Sequence, residues 1–187
     1  MNLFIRKADL VDGNVLVIAN QNKETIFIAS RDKDNPLLIQ LFNRLNTKIG
    51  EIKLKNNFLK IYGIEINGEE VATINAVPVI DMKYVHIGKI NWNITGNIIM
   101  SNYHITKGNK EIMQVQPTIL SLGHPGLELD INEIDHAPVC TLIAIFLDKY
   151  VRIPNFKPDK TLNLGFKSKV NFNNFKKLEF RCKNGKF

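Results

Sequence analysis

The chain has 187 residues, of which 44% are hydrophobic, enough for one globular domain with a real core. Its net charge of +7 is unevenly placed: residues 155–187 hold nine Lys/Arg against two Asp/Glu, while residues 1–154 hold sixteen of each. A neutral body with a basic appendage argues against a nucleic-acid-binding surface on the body and predicts a 1–154 domain followed by a 155–187 tail.

Short β-type runs fill the first part of the chain. Leu3–Arg6 is a candidate first strand. Val15–Ala19 and Thr25–Ser30 flank the polar stretch 20–24 and read as a hairpin. Pro36–Phe42, Lys48–Leu54 and Phe58–Ile66 follow. Asn67-Gly68 is a strong hairpin signal, because both central residues of the tight turn need φ > 0, and Val71–Asn75 is the return strand. Met82–Ile87, Ile90–Thr95, Ile98–Thr106, Glu111–Gln116, Thr118–Leu122 and Leu127–Ile131 complete about twelve strands at the spacing of a barrel or sandwich. Ile64–Ile74 and Tyr103–Val115 share a strand, glycine turn, strand pattern, which is hairpin grammar and not a solenoid repeat.

The run Pro138–Val151 differs. It is apolar all round a helical wheel, with Pro138 near its start, Lys149 and Arg152 near its end and Pro154 beyond. A helix over about 137–151 would span roughly 21 Å at 1.5 Å per residue, too short for a ~30 Å hydrocarbon core. It must therefore be buried in protein, and in a mainly β domain the place that covers a helix on all sides is the inside of a closed barrel.

Cys140 and Cys182 are too far apart for a C-x-x-C unit, so a disulfide framework is not expected and a reducing, cytoplasmic compartment is. The N-terminal run lacks the apolar stretch of a signal peptide. Cys140 reads as a small buried hydrophobe and Cys182 as a free thiol. His86, His104, His124 and His136 lack the short spacing of a zinc site. Glu128, Asp130, Glu133 and Asp135 read as solvent-facing strand positions and charge at a helix N-terminus, in preference to a cation site. Trp92 is expected to pack in the barrel wall. No nucleophile elbow or phosphate-binding Gly-Lys loop occurs, and neither an enzyme nor a cofactor or metal is expected.

Trp92-Asn93-Ile94-Thr95-Gly96, then Tyr103-x-Ile105, Leu127-Glu128-Leu129-Asp130-Ile131 and an apolar helix ending Leu147-Asp148 resemble the LURP-one-related family, which belongs with the tubby C-terminal domain and the phospholipid scramblases. The resemblance covers about residues 15–153, with its best segment at Leu127–Val151. It implies a twelve-stranded barrel around a central hydrophobic helix, and it makes phospholipid a ligand class to test. The chain departs from the family pattern before the last strand, where Gly126 sits near a position that is often aromatic, and the tail after Pro154 has no recognised counterpart. No tubby headgroup-binding position matches, so none is carried over.

The tail interleaves Lys/Arg with phenylalanines, a composition that can hold an anionic membrane surface or a nucleic-acid strand. Lys167, Lys169, Lys176, Lys177, Arg181 and Lys183 are the candidate lipid or anion contacts. The alternation Leu162-x-Leu164-x-Phe166 and Val170-x-Phe172 equally fits strands packed on the barrel. The functional expectation is a non-catalytic barrel protein engaging anionic lipid or a membrane surface as a peripheral protein. The alternative is a regulatory protein-interaction scaffold without lipid affinity.

Overall fold

The computed structural model describes residues 1–35, 37–75 and 84–151. Twelve antiparallel strands close into a barrel: β1 (Asn2–Arg6), β2 (Val15–Asn20), β3 (Thr25–Arg31), β4 (Ile39–Asn43), β5 (Lys48–Asn56), β6 (Ile61–Ile66), β7 (Glu69–Asn75), β8 (Tyr84–Gly88), β9 (Trp92–Asn97), β10 (Asn102–Lys107), β11 (Lys110–Ile119) and β12 (Pro125–Ile131). Sequence neighbours pair throughout, and β1 completes the ring between β2 and β12, with Leu3 opposite Leu129. The N-terminal ammonium reinforces this closure by donating to the Ile131 carbonyl at 2.6 Å. Closure removes the unpaired backbone groups that an open sheet would present.

Alternation sets the core. Leu3 and Ile5 on β1, Leu16 and Ile18 on β2, Ile39 and Leu41 on β4, and Tyr103 and Ile105 on β10 are all buried at every second position. The Asn67-Gly68 turn forms as expected, with φ of 52° and 86°.

The expected helix is α2 (Ala137–Tyr150), fourteen residues long with Pro138 in its first turn. It approaches β4, β5 and β6, and also β12. Strands β6 and β12 lie on opposite sides of the ring, so the helix occupies the lumen. Every residue from Cys140 to Asp148 is buried. Phe146 packs on Tyr62 with ring centroids 4.8 Å apart and stacks on Tyr150 at 5.4 Å. Burying Leu142, Ile143, Ile145, Phe146 and Leu147 stabilises the fold by on the order of 10 kcal/mol before entropy is subtracted. None of the described helices is long and apolar enough to cross a membrane.

Several element boundaries move for local reasons. β6 starts at Ile61 and not Phe58, because Asn56 Oδ1 accepts the Leu59 amide and Lys60 turns at φ 50°. β10 starts at Asn102 and not Ile98, because Asn97 Oδ1 accepts the Met100 amide and Ser101 turns at φ 55°. Thr118–Leu122 is not a strand of its own: Thr118 and Ile119 extend β11, and a 3₁₀ turn follows at Ser121–Gly123. Pro36 and Met82 lie outside the described residues. A short helix, α1 (Lys7–Asp12), joins β1 to β2 and was not expected from the sequence.

Candidate functional site

Strict up-and-down order places alternate connections at the same end of the barrel. The α1 segment, the β5–β6, β9–β10 and β11–β12 turns, and the C-terminus of α2 share one end. Six residues make a marginal helix by themselves, so remote side chains hold α1 in place. Arg31, the last residue of β3, is buried and donates from Nη1 to the Leu10 carbonyl and from Nη2 to the Asp9 carbonyl, each at 2.7 Å, and from Nε to the Gly13 carbonyl at 3.0 Å. The planar fork thus caps the end of the helix: it satisfies the Leu10 carbonyl and adds to the Asp9 carbonyl, which also accepts the Gly13 amide at 2.9 Å. Lys7 Nζ donates to Asp148 Oδ1 on α2 at 3.0 Å and to Ser101 Oγ at 3.1 Å, and Lys149 Nζ reaches the Val11 carbonyl at 3.2 Å. These bonds fasten α1 to the enclosed helix and to the β9–β10 turn.

The turns around α1 carry apolar side chains in solvent. Phe58 and Leu122 are each 93% exposed, and Leu59, Ile99 and Met100 are at least half exposed. At the opposite end the exposed large aliphatics among the described residues are Leu45 and Ile134.

On the barrel wall, an open groove of about 530 Å³ runs along the outside of β1. Its floor is Phe4, Val17 and Ala19, and its far side is Ile119 and Leu120. Gly126 makes this possible. A Cβ there would lie 2.7 Å from the Leu120 side chain and 3.0 Å from the Ile5 carbonyl oxygen, so only glycine lets Leu120 fold across β12 toward β1. One end of the groove holds Arg6, whose Nε and Nη2 both contact Asp9 Oδ1, at 3.1 and 2.7 Å. This partnership with Asp9 raises the Arg6 pKa further. The other end is the β2–β3 turn, with Gln21 and Lys23. Among the described residues the Lys23 ammonium has no partner.

The wall over β5–β8 is of another kind. Lys53 bridges Glu51 at 3.1 Å and Glu65 at 2.8 Å, Lys48 also pairs with Glu51, and Lys55 and Lys89 both pair with Glu70. The Lys48 hydrogen bond, with Lys53 adding to it, holds the Glu51 carboxyl down at about 2. Lys55 and then Lys89 lower Glu70. Gly63 leaves room for this ladder, since a Cβ there would meet Lys55 Cδ at 2.8 Å.

The sequence-derived candidates distribute as follows. Lys167, Lys169, Lys176, Lys177, Arg181 and Lys183, with Cys182, lie outside the described residues. Glu128 accepts from Asn2 Nδ2 at 2.8 Å and Gln116 Nε2 at 3.1 Å, and Glu133 pairs with Lys110. Among the described residues no three His, Cys, Asp or Glu side chains gather as a metal site would require. His104 contacts Glu111 at 2.7 Å and His86 contacts Asn93 at 2.9 Å, on separate strand pairs. Cys140 is fully enclosed, and burial pushes its thiol up, away from the reactive thiolate. Trp92 is buried in the wall, edge-on to His136 with centroids 5.0 Å apart.

No family model matches the chain, and no curated protein matches it by sequence. Among solved structures, the X-ray structure of a protein from Arabidopsis thaliana, AT5G01750, is similar. It superposes with a TM-score of 0.53 at 12% identity, over 79% of this chain and 89% of that one. At this identity the likeness concerns the fold alone, a twelve-stranded barrel with its helix.

Proposed function

We propose that this protein is a non-catalytic barrel of the LURP-one-related and tubby-like kind that associates peripherally with anionic phospholipid surfaces through its α1 end. The observation that carries the reading is the gathering of Phe58, Leu59, Ile99, Met100 and Leu122 on turns at that end, all exposed. Solvent-exposed apolar tips suit shallow insertion into the headgroup region, where buried apolar area and attraction to anionic lipid add. The chain also leaves α2 at this end, and the basic, phenylalanine-rich segment 155–187 follows it in sequence. Each Lys or Arg near an anionic surface contributes about 1 kcal/mol. In this reading the chain divides into a 1–154 barrel domain and a 155–187 membrane-associating tail. The enclosed helix and the Trp92–Gly96 and Leu127–Ile131 motifs support the family assignment.

Sedimentation of the full chain with phosphatidylserine-containing vesicles tests the proposal. Binding is expected at low salt and should weaken strongly at physiological salt. Phe58→Asp with Leu122→Asp should lower it. Charge reversal at Lys167, Lys169, Lys176, Lys177, Arg181 and Lys183 should lower it further. A full chain that stays in the supernatant with anionic vesicles at low salt overturns the reading and leaves the protein-interaction scaffold in its place.

A further inference from the structure

The groove along β1 has a chemistry of its own, distinct from the turns at the α1 end. It is apolar along its length and polar only at its two ends, and the ends differ. At the α1 end the Arg6 guanidinium is already matched by Asp9, 2.7 Å away, so the pair presents no net charge to a ligand. At the β2–β3 turn, Lys23 has no partner among the described residues and Gln21 adds an amide donor. Glu24, the nearest carboxylate in sequence, is held by Asn20 Nδ2 at 2.7 Å and does not line the groove. The turn is rigid, because Asn20 Oδ1 accepts the Asn22 and Glu24 amides at 2.9 and 3.0 Å.

We infer that this groove binds a medium-length fatty acid, with its carboxylate at Lys23 and Gln21 and its chain along Ala19, Phe4 and Val17 toward Leu120. One ammonium and one carboxamide suit a singly charged head better than a phosphate dianion. The volume of about 530 Å³ falls within the roughly 300–1,000 Å³ usual for small-molecule sites. The strand rows from Ile5–Ile18 to Leu3–Asn20 cover about 7 Å at ~3.3 Å per residue, and the turn to Lys23 lengthens the track. The ligand is a single dissolved molecule, so the inference stands apart from membrane association.

The test is calorimetric titration of the full chain with decanoate below its micellar concentration. Saturable binding is expected. Lys23→Gln should weaken it about tenfold, the effect of losing roughly 1.4 kcal/mol. Ala19→Trp, which fills the floor, and Val17→Glu, which sets a charge against the apolar tail, should each abolish it with the melting temperature unchanged. Decanol should bind the wild type and Lys23→Gln alike. Phe58→Asp should leave decanoate binding intact while lowering vesicle association, which separates the two proposals. Absence of saturable binding overturns the inference. So does binding that survives Val17→Glu in a folded chain, and should Ala19→Trp fail to fold, Val17→Glu decides.

Discussion

Lys7 and Asp148, which lie 141 positions apart, meet at 3.0 Å and tie the plug helix α1 to the enclosed helix α2. The carboxylate is almost wholly buried and the ammonium about a quarter exposed, so the pair is costly to break from one side. Lys7→Met should destabilise the fold by about 1–3 kcal/mol, because the buried Asp148 carboxylate loses the Lys7 ammonium. Lys7→Met with Asp148→Leu should recover most of that loss. Urea midpoints of the wild type, both single variants and the double variant close the cycle. A double variant as unstable as the sum of the singles would mean that the pair is not coupled.

Arg31 offers a second test of how α1 is held. Its fork reaches the carbonyls of Asp9, Leu10 and Gly13, a geometry that a lysine ammonium cannot reproduce. Arg31→Lys should keep the charge yet lose about 1–3 kcal/mol, and it should speed amide exchange in α1 and at Gly13 well before the barrel strands. Unchanged exchange over Lys7–Gly13 in that variant contradicts the assigned role.

The enclosed helix sets the largest expected effect. Ile143 and Ile145 are fully buried among apolar neighbours in the lumen. Ile143→Asp or Ile145→Asp would place a charge there with no partner, a penalty of several kcal/mol against a marginal total. Neither variant should accumulate as soluble folded protein. Normal expression with an unchanged melting curve for both is incompatible with a helix in the lumen.

How much of this was legible in the sequence depends on range. The strands were readable because alternation is local, and α2 because a helix apolar on every side has few places to go. The plug α1 was not, since Lys7–Asp12 is too short to carry a helical period and its stabilisers, Arg31 and Asp148, come from distant parts of the chain. The groove was hidden for a similar reason: it depends on Leu120 crossing Gly126 where the ring closes. One local sign existed. Val15–Ala19 is apolar at every position, whereas a strand with one face in solvent would alternate, and Val15 and Val17 are indeed exposed. The tail candidates fall outside the described residues.

The charged wall over β5–β8 gives a prediction in pH. Glu51 is nearly buried and its carboxyl is held at about 2 against an ordinary 4.5, chiefly by the Lys48 hydrogen bond and then by Lys53. A carboxyl whose folded value is depressed binds its proton more readily in the unfolded chain. The stabilisation is therefore present above about pH 4.5 and is lost as the pH falls toward 2. The full shift is worth on the order of 3 kcal/mol, but both lysines are close to half exposed, and solvent screening reduces the expected contribution to about 1–2 kcal/mol. Glu51→Gln should accordingly be less stable than the wild type at neutral pH by that amount, and the difference should shrink through the acid range and vanish near pH 2. High salt at neutral pH should narrow it as well, because the lysine partners are open to counterions. Urea midpoints of the two proteins across the acid range, at low and high salt, supply the measurement. A gap between them that stays constant with pH would show that packing at position 51, and not the charge of Glu51, accounts for the difference.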